Sequence, residues 1–218
     1  FVPYGHMADS YLYRAETDKG ETLFLIDART PGITCTALDS IAANKPCEVS
    51  FDGVKVSKNE ILGQEGQGDE IVGKIREWGA LAQCAFITGM LEQVLKMSVA
   101  YAMEREQFGR QIGSFQAIQH QCADMATDMN QLKFLTYEAA WKLSSNFSSG
   151  KEISMAKAWA SDASRRVCLL GVKIHGGTGV SEEHDMQLYF RRAKAAELVF
   201  GDGDFHREVV EQELGLYP

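Results

Sequence analysis

Two long runs of apolar residues, spaced three or four positions apart, decide most of what this chain can become. Ile118, Cys122, Met125, Met129, Leu132, Leu135, Ala139 and Leu143 form the first. Ile153, Ala156, Ala160, Ala163, Val167, Leu170 and Ile174 form the second. A helix returns to the same face every ~3.6 residues, so each run is one apolar stripe that needs a partner surface. An earlier helix is expected from about Asp69 to Met103, with Ile71, Ile75, Trp78, Ala82 and Ala85 inward, and a shorter one carrying Tyr189, Ala193 and Ala196. Short links such as Ser148-Ser149-Gly150 make neighbouring helices antiparallel, which predicts a four-helix bundle. The second stripe is built of small residues, which permit close helix approach. The methionines read as packing material rather than a cofactor box.

The first sixty residues follow a different period. Segments 10–14, 23–26, 33–36 and 48–51 are rich in β-branched and aromatic residues, and Asp18-Lys19-Gly20, Pro31-Gly32, Asn44-Lys45-Pro46 and Asp52-Gly53 separate them as turns. Four short strands leave open edges, so partner strands are expected from elsewhere. The run Gly63-Gln64-Glu65-Gly66-Gln67-Gly68 marks the change of period. It lacks the strand-first context of a dinucleotide fingerprint and reads as a domain link. The expected organisation is a partial β-domain over 1–65 and a helical bundle over 66–218: mainly α, α+β overall. The first residue is Phe rather than Met, and the chain opens on a strand-like stretch, so a fragment is expected.

Composition narrows the functional classes. A net charge of −8 excludes nucleic acid or an anionic membrane as the main partner. Cys35, Cys47, Cys84, Cys122 and Cys168 are odd in number and scattered, as in reduced thiols of a cytoplasmic, intracellular protein. No apolar run reaches spanning length, and the opening residues are no signal peptide. The acidic turn Glu182-Glu183-His184-Asp185 lacks metal-ligand spacing, so no metal site is expected.

The segment Arg105-Glu106-Gln107-Phe108-Gly109-Arg110-Gln111-Ile112-Gly113-Ser114-Phe115-Gln116 places two guanidiniums beside an aromatic ring. That combination suits a pyrophosphate and an apolar cofactor surface, or simply a helix end answering its dipole. It resembles the link between the first two helices of the acyl-CoA dehydrogenase C-terminal domain. Ala123-Asp124-Met125, Ser154-Met155-Ala156-Lys157-Ala158, His175-Gly176-Gly177-Thr178-Gly179 and Arg192-Ala193-Lys194 follow in that family's order. Upstream, 49–56 and 61–63 resemble the end of its middle β-domain, so the resemblance covers nearly the whole chain.

The resemblance implies FAD as cofactor, with Arg105, Phe108 and Gln116 against its adenine-diphosphate part, and Gly176 and Gly177 along it. Read from the residues alone, His175–Gly179 is a helix C-cap. An acyl-CoA substrate, an electron-transfer flavoprotein or similar acceptor, and a homo- or hetero-oligomer (dimer or tetramer) are also implied. Its glutamate base, however, is missing. The usual position corresponds to Phe200, before Gly201, and the alternative in the first helix to Gly79, followed by Ala80. Two further flavin contacts correspond to Asp202 and Asp204, which the local sequence reads as caps of a helix over 205–209. Lys173 stands where a glutamine contacts the cofactor. Glu77 lies two residues off the alternative base position, on another helix face. No catalytic residue is therefore assigned. The resemblance implies dehydrogenation of an acyl-CoA thioester, or a non-catalytic subunit of such an enzyme. Phe200, Phe190 and Trp78 would suit a bulky acyl group.

Overall fold

The computed structural model describes residues 2–42 and 45–216. Asn44 of the third expected turn, and Phe1, lie outside them. The chain divides into two compact units, Phe1–Arg76 and Glu77–Pro218.

In the first unit, β1 (Val2–Pro3), β4 (Ile33–Ala37) and β5 (Pro46–Phe51) form an antiparallel sheet in the order β1-β5-β4. The hairpin of β2 (Ser10–Thr17) and β3 (Gly20–Asp27) pairs in register from Ser10↔Asp27 to Thr17↔Gly20. Period-2 alternation sends Tyr11, Phe24 and Ile26 inward, while the facing pair Leu12 and Leu25 stays exposed. The strands run longer than the β-branched segments suggest, because the Gly20 turn lets pairing continue to its end. The glycine link is packed rather than slack. A Cβ on Gly68 would lie 2.7 Å from the Glu21 carbonyl oxygen, and one on Gly66 would meet the Lys19 carbonyl.

The helices are α1 (Gly68–Glu104), α2 (Gln116–Ser144), α3 (Gly150–His175), α4 (Met186–Leu198) and α5 (Gly203–Glu213). The two-residue strands β6 (Glu106–Gln107) and β7 (Arg110–Gln111) form a hairpin between α1 and α2. Side-chain pairs fix the helix directions in the second unit. Lys142 bonds Glu152 and Asp128 bonds Arg166, so α2 and α3 run antiparallel. Lys157 reaches Glu197 while Gly171 abuts Met186, which makes α3 and α4 antiparallel as well. The α2 and α3 stripes are buried as the spacing predicts, with Met125, Leu132, Ala156, Ala160, Ala163 and Val167 fully inside one core.

The inward face of α1 differs from expectation. Ile75, Trp78, Ala82 and Ala85 are exposed, and Ala80, Cys84, Ile87, Leu91 and Val94 are buried instead. Apolar residues surround most of that helix, so periodicity does not choose the face. The choice follows size: small Gly79, Ala80 and Cys84 fit where α3 and the loop after α4 come close. Tight approach recurs at Gly171, where a Cβ would meet Val94 Cγ1 at 2.8 Å and Met186 Sδ at 2.9 Å. Gly171→Val is accordingly expected to destabilise the helical unit by about 1–3 kcal/mol through overpacking, read as a lower urea midpoint.

Candidate functional site

The loop between α4 and α5 carries the position where the sequence lacks a base. Phe200 holds φ 60° and Gly201 φ 100°, both left-handed; for phenylalanine that conformation costs about 1–2 kcal/mol and needs outside support. Its ring lies on α1 at Gly79. A Cβ on Gly79 would stand 2.5 Å from Phe200 Cε1 and Cζ. The two positions that lack the glutamate therefore share one volume, and the phenyl ring fills it. Glu77 is not part of this contact; it is exposed and faces Gly150.

Behind the ring, two buried polar side chains hold the loop. Lys157, fully buried on α3, donates from Nζ to the Gly201 carbonyl (2.7 Å), the Glu197 carbonyl (2.9 Å) and Ser161 Oγ (3.3 Å). Three oxygens match the three donors of an ammonium. Burial pushes its pKa down, against the Asp202 and Glu197 carboxylates, which favour the charged form. Cys84 beside it is a neutral neighbour, its thiol pushed up to about 12 by burial. His206 on α5 bonds the Phe200 carbonyl through Nε2 (3.0 Å) and Ser154 Oγ through Nδ1 (3.2 Å). A carbonyl only accepts, so Nε2 carries the proton and, in the neutral ring, Nδ1 accepts from the serine hydroxyl. Neither residue was singled out from sequence for this role. The available signal was a lysine set among Ile153, Ala156 and Ala160 on a buried face.

Asp202 and Asp204 flank this loop in structural roles. Asp202 Oδ1 accepts from the Phe205 N–H at 2.9 Å and caps α5, while Asp204 pairs with Arg207, which also binds Asp162. Trp78, Phe190 and Phe200 are all exposed, at 59%, 41% and 37%.

The remaining candidates gather at the opposite end of α3. Phe108 sits at the tip of the β6–β7 hairpin, 92% exposed, with φ 57°, followed by Gly109 at φ 77°; two successive positive φ values make a primed turn. The Arg110 guanidinium lies 4.0 Å over the Phe115 ring, while Arg105 and Gln116 are exposed. The Tyr101 ring stacks on His175 at 4.5 Å, bringing this hairpin to the end of α3 where Lys173 is exposed and Gly176 caps the helix at φ 60°. Nothing lies within 4 Å of a Cβ at Gly176 or Gly177. His175 donates from Nδ1 to the Gly171 carbonyl (2.8 Å) and faces His184 at 5.0 Å. His184 Nδ1 accepts from the Met186 N–H at the start of α4, a capping role for the acidic turn.

The structure thus splits the predicted residues. Arg105, Phe108, Gln116, Lys173, Gly176 and Gly177 share one end, and Asp202 and Asp204 lie with Phe200, Gly79 and Lys157 at the other. Residues 157 and 175 are separated along α3 by roughly 27 Å at ~1.5 Å per residue. An exposed guanidinium, an exposed ring and an unobstructed glycine backbone fit the diphosphate and adenine portion of a dinucleotide in kind. The other end offers a filled, carbonyl-lined loop without a base.

A helical bundle preceded by a small β-unit is an arrangement this chain shares with acyl-CoA dehydrogenases of solved structure. Residues 66–215 match the family model described as acyl-CoA dehydrogenase, C-terminal domain. The chain belongs to the acyl-CoA dehydrogenase family. It is similar to the acyl-CoA dehydrogenase FadE27 of Mycobacterium tuberculosis, 33% identical over all of this chain and 59% of that protein. Among solved structures, the ChsE4–ChsE5 complex from Mycobacterium tuberculosis aligns with TM-score 0.91 and 34% identity over 99% of this chain and 58% of that one. Butyryl-CoA dehydrogenase from Megasphaera elsdenii aligns at 0.92 and 31%, over 97% of this chain and 57% of that one. The chain spans about three fifths of the relatives it matches. No helix among the described residues is long and apolar enough to cross a membrane.

Two outcomes follow from this geometry. Gly79→Ala and Phe200→Gly should be coupled by about 1–2 kcal/mol in a urea double-mutant cycle: alanine favours the helix but displaces the ring, and removing the ring leaves only the helix gain. Additive effects would sink the shared volume. His175 titrates below its ordinary 6.5, because burial disfavours the imidazolium and His184 adds repulsion, outweighing the Gly171 bond. With the folded pKa depressed, stability is complete above 6.5 and falls as pH drops toward the folded value, since the unfolded chain binds the proton first. Melting temperatures from about pH 8 to about pH 5 should fall more for the natural protein than for His175→Asn, which keeps a donor without the titration.

Proposed function

We propose that this chain is part of an FAD-dependent acyl-CoA dehydrogenase, in which it supports the flavin and closes one side of the thioester site. The observation that carries this reading is the split of candidate residues between the two ends of α3. A single small pocket does not need two sets some ~27 Å apart, whereas a flavin shared between subunits does. In this reading Arg105 neutralises the diphosphate, Phe108 covers the adenine, and the Gly176 and Gly177 backbone allows close approach. Gln116 and Lys173 complete that end; Asp202 and Asp204 border the flavin ring of a second site. The family match beginning at residue 66 supports a domain limit at 65/66, ahead of the 76/77 division of the compact units. When bound, FAD supplies the hydride acceptor for the β-carbon, and an electron-transfer flavoprotein or similar acceptor would reoxidise it. A relative from Acetobacterium woodii, 29% identical, is named as a subunit of a caffeyl-CoA reductase-Etf complex, which supports that pairing.

A second reading is favoured by one specific contact. The Phe200 ring on Gly79 excludes a carboxylate from both places where the base would stand. The chain then acts as a flavin-supporting subunit beside a relative that carries the glutamate. The ChsE4–ChsE5 structure is by its title a complex of two differently named proteins, which is the kind of assembly this reading requires.

Binding and turnover distinguish the two. Arg105→Ala should weaken FAD binding to the assembled protein by about ten- to a hundredfold, the worth of one charge-assisted phosphate bond, measured by flavin fluorescence. A panel of acyl-CoA thioesters should bleach the flavin. Bleaching by this protein alone favours the first reading, and bleaching only after co-expression with a glutamate-bearing relative favours the second. If no thioester bleaches the flavin in either preparation, the dehydrogenase assignment fails.

A further inference from the structure

We propose that Lys157 and His206 are positioning residues for side chain 200: by gripping the carbonyls of Phe200 and Gly201 they hold residue 200 left-handed and aim its side chain onto position 79. Only the significance of position 200 as the place of a base rests on the dehydrogenase reading; the grip itself is a matter of this chain's geometry.

The case begins with strain. A phenylalanine at φ 60° next to a glycine at φ 100° does not persist unless the surroundings impose it. The local sequence has no means of doing so. Val199 ends α4 in an extended conformation, and Asp202 uses its carboxylate to cap α5. The constraint comes from two distant places in the chain. Lys157 is 44 positions before Gly201, and its Nζ bonds that carbonyl and the Glu197 carbonyl in the last turn of α4. One ammonium therefore spans the helix end and the loop, fixing their separation. His206 closes the other side from the first turns of α5, and its ring is oriented by Ser154 of α3. Consecutive carbonyls, 200 and 201, are thus held by two donors, both side chains being buried.

The Phe200 carbonyl lies in the 200–201 peptide and the Gly201 carbonyl in the 201–202 peptide, so both planes that flank Gly201 are held against flipping. With the end of α4 tied at the Glu197 carbonyl, the chain is fixed before residue 200 as well as after it, and its side chain is directed onto α1. There Gly79 is the only residue type that accepts a ring at this distance, since any Cβ would fall 2.5 Å from it. The grip is indifferent to the side chain it aims. In this chain it delivers a phenyl ring that fills the volume; with an acidic residue at 200 the same two donors would deliver a carboxylate to the same place. Lys157 and His206 are buried and bond the loop carbonyls themselves, so their role is positioning.

The test is whether the coupling between residues 79 and 200 depends on the grip. In the otherwise natural protein, the Gly79→Ala and Phe200→Gly cycle should show a coupling of about five- to thirtyfold in the unfolding constant. The cycle is repeated in Lys157→Met, His206→Leu and His206→Gln backgrounds. Glutamine retains an N–H able to reach the Phe200 carbonyl, whereas leucine does not. Coupling that falls to within about twofold of none in Lys157→Met and His206→Leu, and survives in His206→Gln, supports the proposal. A general loss of stability cannot imitate this, because it cancels within each cycle. Should Lys157→Met fail to fold, the paired histidine backgrounds still decide. Coupling of natural size in His206→Leu, or its loss in His206→Gln as well, overturns it. No flavin or thioester is needed, so a negative result here is separate from a failure of the dehydrogenase reading.

Discussion

The helical unit is organised around α3, a helix buried on most of its surface and built of Ala, Ser and Gly at its contact points. Small side chains let α2, α4 and α5 reach its backbone closely, and the loss of apolar bulk is offset by close packing. That proximity is also what makes a buried lysine tolerable. Lys157 sits deep enough that an unsatisfied ammonium would be prohibitive, yet α4 and the following loop come near enough to supply three oxygens. A bulkier helix at α3 would push those oxygens out of reach.

The same closeness ties the two ends of the molecule to function differently. At the Lys157 end the Phe200 ring rests on Gly79, although it stays 37% exposed, and the two carbonyls behind it are bonded. At the His175 end the packing stops short. Gly176 and Gly177 have nothing above them, Phe108 at the hairpin tip meets only the edge contact of Phe115 among the described rings, and Tyr101 on His175 is the last layer of core. One helix thus carries an open, cation-bearing end and an end packed around a glutamate-free loop.

Much of this was legible before any coordinates. The stripes of α2 and α3 were read correctly because each helix has one apolar face and a polar remainder, so a single phase satisfies the pattern. The capping role of Asp202 could be read for the same local reason, since an N-cap bonds an amide three residues away. The inward face of α1 could not, because apolar residues encircle it and the deciding factor was which small residues met α3. The partial β-unit fell between the two cases: its strands were visible as alternating segments, but their lengths were set by how far pairing could continue.

The sequence alone determined the family, the order of the helices and the absence of a glutamate at positions 200 and 79, since these depend on residue identity and on spacing along the chain. The tertiary structure decided that those two positions are one place, that a phenyl ring occupies it, and that Lys157 and His206 hold it there. The reason is physical: contacts between residues 79, 157, 200 and 206 join segments dozens of positions apart. No local period or propensity encodes which of them will meet until the helices have packed.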